Sequence, residues 1–116
     1  MVTVSGNTYV PDLYKNTIYV YAAGAVGNVA PMRTIRGFKT DLSYPTQVTL
    51  DAGDDIYVSN EGNDQIPASI TVYAAGANGD VAPIRNITGD RTGLSAPSGV
   101  ALDNAGHIFA ANRSAR

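Results

Sequence analysis

Oxygen ligands crowd into one stretch of this chain. Asn60, Glu61, Asn63 and Asp64 lie almost side by side, and carboxylate and amide oxygens are what calcium or another divalent cation takes. Their spacing is not that of a calcium loop, so a solvated polar turn is the plainer reading. Two other segments carry amides and charge, Asp90 and Arg91 in one, Asn112 and Arg113 in the other. These eight residues form the candidate ligand-binding set. They imply no cofactor beyond such a cation.

Other reactive side chains read as structure. Asp51 and Asp103 each end an apolar run ahead of a Gly-containing turn, where a carboxylate accepts from backbone amides. Asp54 and Asp55 are adjacent, so their side chains diverge and make a poor acid–base pair. His107 is the only histidine, and nothing in the sequence brings it to a nucleophile, so no catalytic set is read. Gly24 and Gly27 sit in a Gly-rich stretch, but no helix follows to cradle a phosphate. Arg33 and Arg85 are expected on an outer strand face. Tyr19, Tyr21, Tyr57 and Tyr73 read as strand packing, with a sugar-binding surface between sheets as the alternative.

The elements that hold these residues follow from composition. The chain has 116 residues with a formal net charge of −2, enough for one small domain. Twelve glycines, six prolines and seven tyrosines against only 16% charged residues suit a turn-rich, strand-rich chain. Without cysteine there is neither a disulfide framework nor a thiolate zinc site. No basic run supplies the footprint of a nucleic-acid binder. No apolar stretch reaches the ~18–20 residues of a spanning helix, and residues 1–10 lack the basic start and apolar segment of a signal peptide.

The chain repeats itself. Residues 17–60 align without a gap on 69–112: Tyr21 falls on Tyr73, Pro31 on Pro83, Leu50 on Leu102, Asp51 on Asp103 and Asn60 on Asn112. Such a period indicates stacked supersecondary units, with propeller blades foremost. In the central unit, 46–50 (TQVTL) and 55–59 (DIYVS) read as strands joined by a tight Asp/Gly turn. Strands over 69–73 and 83–88 follow, the last opened by Pro83. Further strands are expected near 2–4, 8–10, 17–21, 32–36, 98–102 and 107–111, with almost no helix. The expected fold is all-β, of antiparallel four-stranded blades: a first blade over 1–37, a second over 38–89 and half a blade over 90–116.

Two sequence elements carry a family resemblance. VTLDAGDDIYVSN (48–60) with VALDNAGHIFAAN (100–112), and YAAGAxGxVAPxRxI at 21–35 and 73–87, resemble the NHL-type β-propeller of bacterial repeat proteins. The resemblance implies an extracellular or periplasmic setting and ligand loops at one end of a central channel, here 38–44, 60–66, 90–96 and 112–116. Full propellers of this kind carry more blades than this chain. At ~25 cal/mol per Å² of apolar surface, one uncovered blade face of several hundred Å² forfeits on the order of 10 kcal/mol. Self-association removes that loss: strands 98–111 of one copy would complete a blade with 17–35 of the next, and a trimer would close the ring. A fragment and a monomeric partial propeller are the alternatives. The function expected is non-enzymatic binding or scaffolding. Its alternatives are a metal-dependent lactonase-like enzyme, using Glu61, Asn63 and Asp64, and a multivalent glycan binder. No nucleic-acid or membrane partner is expected.

Overall fold

The computed structural model describes residues 6–113. The strand expected near 2–4 and the end of the last loop, from Ser114 on, lie outside them. The described chain is all-β and every strand pairing is antiparallel. Nine strands form three sheets in chain order. The first sheet contains β1 (Thr8–Asp12), β2 (Thr17–Tyr21) and β3 (Arg33–Ile35). The second contains β4 (Pro45–Leu50), β5 (Ile56–Asn60), β6 (Ser69–Tyr73) and β7 (Arg85–Thr88). The third contains β8 (Pro97–Leu102) and β9 (Ile108–Asn112). The sheets stack through their leading strands, β1 against β4 and β4 against β8.

Strand identity follows from side-chain alternation. On β5, Ile56 and Val58 join the main core, and the intervening Tyr57 and Ser59 are buried as well. A strand buried on both faces reads as one continuous run of strand formers, as IYVSN does. The core is the layer between the first two sheets. Tyr9, Ile18, Val20 and Ile35 meet Val48, Ile56, Val58 and Tyr73 there, with Leu42 from the connecting link.

Several strand boundaries differ from expectation by a residue or two. Pro83 does not open the fourth strand, which starts at Arg85. Proline has no amide to donate, and the pairing is led instead by Ile84 N, which donates to Val72 O at 2.7 Å. Asp55 precedes β5, and its Oδ1 accepts from Ala75 N at 3.0 Å. Asn60 and Asn112 are the last residues of β5 and β9 and so belong to strands instead of loops.

The links between sheets are built alike. Each begins at a glycine with positive φ, Gly37 (φ 128) or Gly89 (φ 115), and makes one 3-10 turn, Phe38–Thr40 or Asp90–Thr92. Thr40 Oγ1 and Thr92 Oγ1 each donate to the leading glycine's carbonyl at 2.7 Å and accept from Leu42 N and Leu94 N. Repeated sequence therefore becomes repeated backbone at the ends of the sheets, where loops can vary without disturbing the strands.

Candidate functional site

Two clefts lie at corresponding places between link and strand-connecting loop. The cleft of about 550 Å³ is walled by the 61–68 loop and the 89–96 link, and Glu61, Asn63, Asp64 and Asp90 line it. Half of the candidate set thus meets in one place. Much of its oxygen is already engaged. Glu61 Oε2 pairs with the Arg113 guanidinium. Asn63 Oδ1 accepts from Gln65 N at 2.9 Å and Ile66 N at 2.8 Å, which shapes the loop. Arg91 is exposed and does not line the cleft.

Asn60 has no exposed surface. Its Oδ1 accepts from Ser43 N at 3.1 Å and its Nδ2 donates to Thr71 Oγ1 at 2.9 Å. Tyr73 extends this network, its hydroxyl donating to Thr40 O at 2.5 Å, and burial pushes the phenol's pKa well above its ordinary value. Asn112 repeats the arrangement in the open, accepting from Ser95 N at 2.9 Å and donating to Gly93 O at 2.8 Å. Both asparagines tie a link to the end of a strand.

The turn carboxylates also act on backbone. Asp51 Oδ1 accepts from Gly53 N at 2.9 Å and Asp55 N at 3.0 Å, and Asp103 Oδ1 from Ala105 N at 3.0 Å and His107 N at 2.8 Å. His107 Nδ1 lies 2.9 Å from Asp103 Oδ2. That side-chain contact, then the backbone amides, holds the Asp103 carboxyl below its ordinary pKa. Arg33 and Arg85 do more than face outward. Each guanidinium lies over the tyrosine two strands away, Tyr9 at 5.8 Å and Tyr57 at 5.9 Å, and donates to its hydroxyl at 2.7 and 3.4 Å.

The larger cleft, about 670 Å³, sits between the first and second sheets. Phe38, fully exposed, stands at its edge with Lys15, Asn16, Asp41 and Asn86. Asn86 Nδ2 donates to Asp41 Oδ2 at 3.4 Å, and Asn16 Oδ1 accepts from Tyr44 N at 2.6 Å. None of these residues is in the candidate set, yet a signal was there. Between the two links Gly37/Gly89, Thr40/Thr92, Leu42/Leu94 and Ser43/Ser95 are the same, while Phe38 faces Asp90 and Asp41 faces Gly93. The frame is constant and the exposed positions change. Chemically the clefts offer hydrogen-bonding walls, one acidic and one with an aromatic platform, and among the described residues no nucleophile and base are arranged together in them. No family model, curated protein or solved structure matches the chain.

Proposed function

We propose that this chain is a non-enzymatic binding and scaffolding module made of NHL-type propeller blades, and that further copies of it complete its outer sheet. One observation carries this reading. β5 and β9 occupy the same repeat position, yet all five residues of β5 are buried while four of the five in β9 are exposed. Tyr57 is 7% exposed and its counterpart Phe109 58%. The difference lies in their surroundings: β5 has a strand on either side, whereas among the described residues β9 pairs with β8 alone. A third sheet completed by strands of a second copy would acquire what the second already has.

In such an assembly the sheets are the scaffold and the link loops are the binding surface. Binding belongs to exposed positions on a constant frame, as at Phe38 and Asp90. Light scattering on the purified chain tests the reading. A mass that is a multiple of 12.1 kDa, three copies for a closed ring, is expected. A chain still monomeric at 100 µM would refute assembly.

A further inference from the structure

The first two sheets are held together by a loop as well as by their core. The 74–82 loop, which joins β6 to β7, reaches back to the edge of β3. Gly79 N donates to Thr34 O at 2.6 Å, and Arg36 N donates to Gly79 O at 3.2 Å. Thr34 N donates to Asn78 Oδ1 at 3.1 Å and Lys39 N to Asp80 Oδ1 at 2.8 Å. Ile35 and Gly79 form a parallel bridge. The contact has two halves, the loop and a strand edge with the link beyond it.

Among the described residues, both halves recur on this chain without an occupant. The 22–30 loop of the first sheet is the repeat counterpart of 74–82, with Gly27 at the position of Gly79 and Asn28 at that of Asp80, and all of it is exposed. Gly27 has φ 75 against 85 for Gly79, so the loop already has the conformation that docks. The strand edge's counterpart is β7, the edge strand of its sheet and largely exposed. Its register on β6, Ile70 with Ile87 and Thr71 with Asn86, matches that of β3 on β2, Ile18 with Ile35 and Tyr19 with Thr34. Asn86, Thr88 and Arg91 therefore stand where Thr34, Arg36 and Lys39 stand.

We propose that a second copy of the chain docks its 22–30 loop, through Gly27 and Asn28, on the β7 edge at Asn86, Thr88 and Arg91. This rests on the assembly reading above and names the surface and register of the contact. The loop cannot reach β7 within its own chain, because the first sheet lies on the opposite side of the second from the third. Three of the four hydrogen bonds carry over: Gly27 N to Asn86 O, Thr88 N to Gly27 O, and Arg91 N to Asn28 Oδ1. The fourth does not, since Val26 replaces Asn78. Val29 is 45% exposed, and its counterpart Val81 packs against the core in the docked loop, so docking would cover it. The contact is head-to-tail, so it forms a ring if the rotation closes and a filament if it does not. β1 of the incoming copy has the repeat position of β9, and one must yield. β1 is anchored by Tyr9, which is in the core, while β9 is mostly exposed, so β9 gives way. The third sheet then becomes β8 followed by β1, β2 and β3 of the second copy.

The test compares sedimentation of the full chain with Val29→Lys and Asn28→Ala variants, with Tyr14→Lys as an exposed control. Hydrogen exchange at Thr88 and Arg91 is followed alongside. The expected result is association of the parent and control, at least tenfold weaker association of Val29→Lys and of Asn28→Ala, and slowed exchange at Thr88 and Arg91 on association. Association unchanged in both loop variants, with those amides still exchanging freely, would overturn this contact and leave the assembly reading standing. A parent chain monomeric at 100 µM would overturn both.

Discussion

At the scale of single residues, the repeat supplies its own controls. Asn60 and Asn112 bond the corresponding link amide, but Asn60 is fully buried and Asn112 is exposed. Leaving buried partners unsatisfied costs about 1–3 kcal/mol each, whereas water replaces an exposed bond. Asn60→Ala should therefore lower unfolding free energy by about 2–4 kcal/mol and Asn112→Ala by less than about 1 kcal/mol, read from urea denaturation. Asp103 gives a pH dependence. Its folded pKa lies below the ordinary value of 3.8, so its stabilising contribution is full above that value and is lost as pH falls through the folded pKa. Asp103→Asn should lower Tm at pH 7 and flatten the acid limb of a Tm–pH profile below about pH 4, where parent and variant converge. An unchanged acid limb would contradict the assigned role. The sequence allowed the turn-capping role of both aspartates to be read, because Asp before a Gly-containing turn has a local cause. It did not reveal that Asn60 is buried, because burial at a strand end depends on the neighbouring link.

At the scale of elements, the loop latch has a sharp consequence at Gly37. Gly37 and Gly89 share positive φ and the same turn, but a methyl group added at Gly37 would strike the Asp80 side chain, while at Gly89 it would meet nothing within 4 Å. Both substitutions bear the backbone strain of a non-glycine residue at positive φ. Only Gly37→Ala also pushes on the Asp80 side chain and disturbs its exposed bond from Lys39 N. Gly37→Ala should thus be the more destabilising by about 0.5–1.5 kcal/mol. Equal effects in thermal melts would mean that the latch adds nothing. Most strands were legible from alternation and turn residues, to within a residue or two. The 83–88 strand was misjudged at its start because Pro83 tolerates a strand opening without creating one. The latch was invisible, since backbone pairing between a loop and a distant edge leaves no mark on side-chain pattern. The Phe38 cleft was legible only by asking where the two links differ, because what is shared between units is frame.

At the scale of the molecule, the middle sheet shows what the outer ones lack. Its two central strands, β5 and β6, are covered on both faces, and the sequence pattern of β5 repeated in β9 lies open to water. Exposed strand edges and apolar faces favour association, and the unoccupied loop and β7 edge give that association a direction. A closed head-to-tail ring stops at a fixed size, whereas an open stack keeps growing. Sedimentation equilibrium over a hundredfold range of concentration separates these outcomes. The expected result is a mass that rises from 12.1 kDa and levels at a small whole multiple of it. A mass of one chain at every concentration would contradict the completion of these sheets by further copies.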